Sequence, residues 1–218
     1  MSGDKVLSLE AISIPPQDGI TADRLLVMLH GWGANAEDLA PLASTLNLSN
    51  YQYLFPNAPF PHPQVPWGRA WYALDSNNCQ GLNESRQLLQ DWLQSLPKKT
   101  GIGLEKTILA GFSQGGAMTL DVGLQLPLAG LCSLSGYLHS HPAPNLAEYP
   151  FLAIVHGKQD PIVPLKAAQM ARDELMAAGV KLQYNELDMG HEINAETIVI
   201  LRDFILNVGD NLAASEHR

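Results

Sequence analysis

Ile108-Leu109-Ala110-Gly111-Phe112-Ser113-Gln114-Gly115-Gly116-Ala117 joins an apolar run, a Gly-x-Ser-x-Gly turn and the start of a helical pattern. The apolar run predicts a buried strand. The helical pattern extends from about Gln114 to Leu126, where Pro127 stops it. In that context Ser113 is a candidate nucleophile at the apex of a sharp turn. A Ser there needs a strained backbone, and the residues two before and two after it crowd each other, so only Gly fits at 111 and 115. The free N–H groups of the helix that follows point to where negative charge would develop in a reaction at Ser113.

Outward from this turn, strand and helix patterns alternate. Upstream, Val6 to Ile14 predicts a strand closed by Pro15-Pro16. Leu25 to Leu29 is a continuous apolar strand running into His30-Gly31-Trp32-Gly33, and Glu37 to Leu46 predicts one helix that tolerates Pro41 near its start. Tyr51 to Phe55 is a strand. The segment from Pro56 to Leu74 holds five prolines and four aromatics, a stiff loop of the kind that carries function. Trp67 and Trp71 are therefore candidates to line a substrate groove, with Tyr72 and Leu74 beside them.

Asn83, as N-cap, opens a helix to Leu96, and Pro97 to Gly103 predicts a turn. Downstream of Ser113, Leu128 to Leu134, Phe151 to Val155 and Val180 to Leu187 read as strands. Pro164 to Ala178 and Asn194 to Val208 read as helices. The first of these has Leu165, Ala168, Leu175 and one of Met170 and Met176 available for its buried face. The residues after Gly209 read as a polar, frayed tail. This alternation predicts an α/β fold, a mainly parallel sheet of about seven strands with helices on both faces, in one domain with its core over about residues 6–208. Sites in such sheets form at the carboxyl ends of the strands, and the motifs at Gly31, Ser113, Asp160 and His191 each follow a predicted strand end.

A Ser nucleophile needs a base and an acid, in the chain order Ser, Asp or Glu, His. The candidate bases after Ser113 are His139, His141, His156, His191 and His217. His217 is in the tail, His139 and His141 read as a surface pair, and His156 reads as a turn residue. His191 follows the last strand behind Gly190 and precedes a helix, as the base should. For the acid, Asp160 in His-Gly-Lys-Gln-Asp-Pro is preferred to Asp188, because the acid should come from a separate strand end. His191 would take the Ser113 proton and Asp160 would fix the imidazole tautomer. The backbone N–H groups of Gln114 and Trp32 are the candidate donors to a developing oxyanion.

Composition limits the function classes. The 218 residues carry 13 Lys plus Arg against 22 Asp plus Glu, a net charge of −9, which argues against nucleic acid and anionic membranes as partners. Hydrophobic residues at 46% fit a globular protein. Two cysteines, Cys79 and Cys132, give neither a disulfide framework nor zinc-ligand spacing, and Cys132 reads as a buried thiol. Without a signal-like N-terminus or a bilayer-spanning run, a cytoplasmic protein with no stable membrane association is expected.

Leu29-His30-Gly31-Trp32-Gly33, Pro56-Asn57-Ala58-Pro59, Gly111-Phe112-Ser113-Gln114-Gly115-Gly116, His156 to Pro164 and Gly190-His191 together resemble the phospholipase/carboxylesterase group of α/β-hydrolases. That group includes small bacterial carboxylesterases and acyl-protein thioesterases. The resemblance spans about Leu25 to Leu206. It implies the α/β-hydrolase fold without a lid domain, Ser113, Asp160 and His191 as the triad, Trp32 and Gln114 at the oxyanion hole, and no cofactor or metal. Ala34 and Ala73 stand where many members carry Asp, and both are expected near the acyl groove.

The function expected is a serine carboxylesterase acting on a small-molecule ester of short or medium chain length, with the homodimer open as an assembly. The alternatives are a thioesterase or lysophospholipase acting on long acyl chains, and a catalytically silent binding protein on the same fold.

Overall fold

Strands that are apolar on both faces must be covered on both faces, and the centre of the sheet is built that way. A computed structural model describes residues 9–16, 19–74, 78–140 and 148–216. The strands are β1 (Ala11–Ile14), β2 (Arg24–Leu29), β3 (Tyr51–Pro56), β6 (Thr107–Phe112), β7 (Gly130–Leu134), β8 (Phe151–Gly157) and β9 (Leu182–Leu187). They form one seven-stranded sheet in the order β1-β3-β2-β6-β7-β8-β9. Only β1 runs antiparallel to its neighbour. A two-stranded hairpin, β4 (Phe60–Pro61) with β5 (Arg69–Ala70), stands apart from it.

The period-two alternation sorts side chains between two cores. Leu25, Val27, Leu29, Leu109, Leu131 and Ile154 meet α3 (Leu82–Thr100), α4 (Gln114–Gly123) and α5 (Leu165–Ala177) on one face. Leu26, Met28, Ile108, Ala110, Cys132 and Val155 meet α1 (Ala36–Leu39), α2 (Leu42–Leu46) and α6 (Ala195–Glu216) on the other. Cys132 is fully buried, and burial pushes its thiol up to about 12. Among the described residues no helix is long and apolar enough to cross a membrane.

Several elements differ from the sequence expectation, each for a local reason. The helix expected over 37–46 is two short helices, because Pro41 has no N–H to continue α1 and instead caps α2. Asn35 closes the start of α1 with a capping box to Asp38. Gly81, not Asn83, is the N-cap of α3, and the Asn83 side chain accepts from Arg86. That helix runs through Pro97 to Thr100 and stops at Gly101, whose φ of 77° suits the left-handed cap. Both Met170 and Met176 are exposed, and Ala171 joins Ala168 and Leu175 on the buried face of α5. The last helix continues through Gly209 to Glu216. A Cβ at 209 would lie 2.6 Å from the Arg24 guanidinium, so this Gly serves a close approach and not a helix stop.

Candidate active site

Ser113 sits between β6 and α4 with φ 55° and ψ −118°, a conformation a non-Gly residue adopts only when its surroundings hold it there. Its own N–H donates to Leu134 O at 2.8 Å. The crowding expected around it is real: a Cβ on Gly111 would lie 2.2 Å from Gly115 O, and one on Gly115 would lie 2.3 Å from Leu29 O. Gly31 approaches from the other side, with room for a Cβ only 3.2 Å from that of Ser113. The Gly31-Trp32 loop thus lies against the hydroxyl-bearing carbon.

His191 Nε2 is 2.9 Å from Ser113 Oγ, and its Nδ1 is 2.7 Å from Asp160 Oδ2. A carboxylate only accepts, so Nδ1 carries the proton and Nε2 is left to accept from the serine hydroxyl. Asp160 is itself held: its Oδ1 accepts from the N–H groups of Ile162 at 2.9 Å and Val163 at 2.8 Å. Burial pushes the Asp160 pKa up, but the hydrogen bonds from His191, Val163 and Ile162 outweigh burial and leave it below the usual carboxylate range. The His191 loop can come close because Gly157 has no Cβ, which would meet Gly190 O at 2.3 Å.

The other candidates fall elsewhere. Asp188 is exposed and pairs with Lys158 at 3.0 Å. His156 is not a turn residue: it lies inside β8, fully buried, and its Nε2–H donates to Val163 O at 2.8 Å, which braces the Asp160 turn from behind. His139 is not a surface residue but half-buried beside Asp121, at 2.7 Å. His141 and His217 lie outside the described residues.

Two backbone amides belong to the segments that meet at Ser113. Gln114 is the first residue of α4, so its N–H has no intrahelical acceptor. Among the described residues no protein acceptor takes the N–H of Trp32. The loop that carries Trp32 is fixed by His30, whose Nδ1–H donates to Gly31 O at 2.8 Å while Nε2 accepts from Ala58 N–H at 3.0 Å. Burial holds the His30 pKa at about 4 in the fold. The unfolded chain takes up that proton below about 6.5, so it binds more protons than the fold between those values. Stability is therefore expected to drop by up to about 3 kcal/mol as pH falls through that window. Urea unfolding of the protein and of His30→Asn from neutral pH down to about pH 4 should show this slope in the first and a shallower one in the second.

Of the four residues expected to contact substrate, the structure places Tyr72 alone on the wall of the cavity beside Trp32. Trp71 is fully buried, its indole donating to His30 O at 3.0 Å. Trp67 is 90% exposed and lines a separate groove with Glu10 and Glu37, and Leu74 is half exposed. The cavity beside Trp32 holds about 350 Å³, with Phe60, Pro61, Tyr72 and Ala73 among its walls. Ala73 lines this cavity, and the carbonyl of Ala34 accepts from Arg69 N–H of the hairpin. One contact the sequence did not signal is the side chain of Gln114. Its Oε1 accepts from Trp71 N–H and its Nε2 donates to Tyr72 O, clamping the cavity wall to the start of α4.

With this geometry in view, comparison with known proteins gives a consistent result. The family model described as phospholipase/carboxylesterase matches residues 15–208. The chain belongs to the phospholipase/carboxylesterase family. Members are serine hydrolases of the α/β-hydrolase fold. Acyl-protein thioesterase 1 of Neurospora crassa is 29% identical over 200 residues, covering 81% of this chain and 80% of that protein. Acyl-protein thioesterase 1 homolog 2 of Dictyostelium discoideum is 30% identical over 167 residues, covering 69% and 73%. Among solved structures, esterase PE8 superposes with a TM-score of 0.86 at 28% identity, covering 93% of this chain and 100% of that one. The Bacillus cereus carboxylesterase, at 17% identity and a TM-score of 0.79, covers 92% and 94% and shares the fold.

Proposed function

We propose that this family member is a carboxylesterase that cleaves short- to medium-chain carboxylic esters through an acyl-enzyme on Ser113. The observation that carries the proposal is the continuous line Ser113 Oγ, His191 Nε2, His191 Nδ1, Asp160 Oδ2, with separations of 2.9 and 2.7 Å. In this reading His191 takes the hydroxyl proton as Ser113 Oγ bonds to the ester carbonyl carbon. The carbonyl oxygen becomes an oxyanion, held by the N–H groups of Gln114 and Trp32, each donor worth about 2.7–4 kcal/mol in the transition state. The intermediate collapses, the C–O bond to the alcohol breaks, and His191 returns the proton to the departing oxygen. Water then attacks the acyl-enzyme by the same route, releasing the carboxylic acid and restoring Ser113. Asp160 stays ionised throughout and stabilises the imidazolium.

The cavity beside Trp32 supports the chain-length part. Its volume is at the low end of ligand sites, which run about 300–1,000 Å³, and its mostly apolar walls, with Gln80 and Glu84 among them, suit a short alkyl chain. A second reading, a thioesterase acting on long acyl chains, is favoured by the names of the Neurospora and Dictyostelium relatives. A series of p-nitrophenyl esters from acetate to palmitate, with matched thioesters, separates the two. The proposal predicts a maximum in kcat/KM at or below octanoate and no thioester advantage. A maximum at laurate or longer, with thioesters preferred, would replace it with the second reading.

A further inference from the structure

Tyr72 is fully buried, yet its side chain does more than fill space. It lines the cavity beside Trp32, and its hydroxyl is bonded to two residues that line another cavity. Those residues are Tyr137, with the hydroxyls 2.5 Å apart, and His139, whose Nε2 is 2.7 Å away. The second cavity holds about 320 Å³ between the segment after β7 and the Ala167–Ala171 face of α5. The Tyr72–Tyr137–His139 cluster thus links the lining of one cavity to the lining of the other. The three rings pack edge to face, Tyr72 and Tyr137 each about 5 Å from His139.

The partition is braced from behind. Asp121 of α4 lies 2.7 Å from His139 Nδ1 and is paired with Arg86 of α3 at 2.7 Å. The backbone of Tyr72 is held as well, through its carbonyl to the Gln114 side chain. Tyr72 is therefore held from both ends, its hydroxyl by Tyr137 and His139 and its carbonyl by Gln114. Burial, then the neighbouring Tyr137, raise the Tyr72 phenol far above its ordinary range, so it stays neutral and hydrogen-bonded.

We propose that the Tyr72–Tyr137–His139 cluster is the end wall of the acyl cavity and sets the chain-length limit of the enzyme. The proposal rests on the esterase reading above and adds its structural cause. Removing the wall would join two cavities of similar size and nearly double the space open to an acyl chain.

The test is a chain-length profile of kcat/KM on p-nitrophenyl esters. For Tyr72→Ala/Tyr137→Ala the ratio of decanoate to butyrate is expected to rise by about tenfold or more, since each methylene moved out of water gains about fourfold. Adding Ala167→Phe, which fills the second cavity, should reverse the gain of the double variant and leave the ratio of the unmodified protein as it was. A folded double variant with an unchanged ratio would overturn the proposal.

The unmodified protein supplies an independent arm in case the double variant does not fold. In a crystal structure of its decyl phosphonate adduct, the alkyl chain should enter the first cavity and stop or turn out at the Tyr72 ring. A chain lying wholly outside that cavity would overturn the wall. Failure to form any adduct on Ser113 would instead overturn the esterase reading on which it rests.

Discussion

Ser113→Ala is expected to lower kcat on p-nitrophenyl butyrate by about a millionfold, the scale reached when a serine hydrolase loses its nucleophile. The size follows from how few groups share the work. With the hydroxyl gone, His191 has no proton to accept and no acyl-enzyme forms. What remains is whatever the amides of Gln114 and Trp32 lend to direct attack by water. Because among the described residues the Ser113 hydroxyl bonds only to His191, the change should leave the fold intact, with an unfolding midpoint close to that of the unmodified protein. Full activity in the folded variant would remove Ser113 from the mechanism.

Asp160→Asn should be nearly as damaging, by about ten-thousandfold in kcat. The structure gives the reason. Oδ1 of residue 160 accepts two backbone N–H bonds, from Ile162 and Val163, so an asparagine there must place its own oxygen at that position. Its NH₂ group then faces His191 Nδ1, and the ring must move its proton to Nε2. That nitrogen can no longer accept from Ser113. Asp188→Asn weakens exposed contacts to Lys158 and Gln159 and should change activity by less than about twofold, because such pairs contribute little. Equal losses in the two variants would mean that the carboxylate beside His191 does not hold its tautomer.

What the sequence made legible was the backbone of the site. Gly111 and Gly115 could be assigned to a crowded turn because no other residue has room there, and carbonyl oxygens lie within 2.3 Å of where their Cβ atoms would be. Chain order and strand ends favoured Asp160 over Asp188, and it is Asp160 that lies 2.7 Å from His191. The two-sided burial of the central strands was legible in their unbroken apolar runs.

Side-chain assignments in the Pro-rich loop were not. An aromatic residue reads alike whether it faces a groove or the core, and Trp71 is in the core, where its indole N–H finds His30 O. Local breakers also misled. Pro97 lies within the last turn of α3, which Gly101 ends, and Gly209 marks where α6 meets Arg24. The partners of Tyr72 were hidden for a different reason. Arg86, Asp121 and His139 meet only because α3, α4 and the segment after β7 converge, and no spacing in the chain records that.

The most direct measurement is the site of covalent capture. The protein and Ser113→Ala would be treated with a fluorophosphonate, digested and mapped by mass spectrometry. The line of hydroxyl, imidazole and carboxylate described above predicts one phosphonyl group, on the peptide carrying Ser113, and none on the variant. A labelled peptide that lacks Ser113, or equal labelling of the variant, would contradict it.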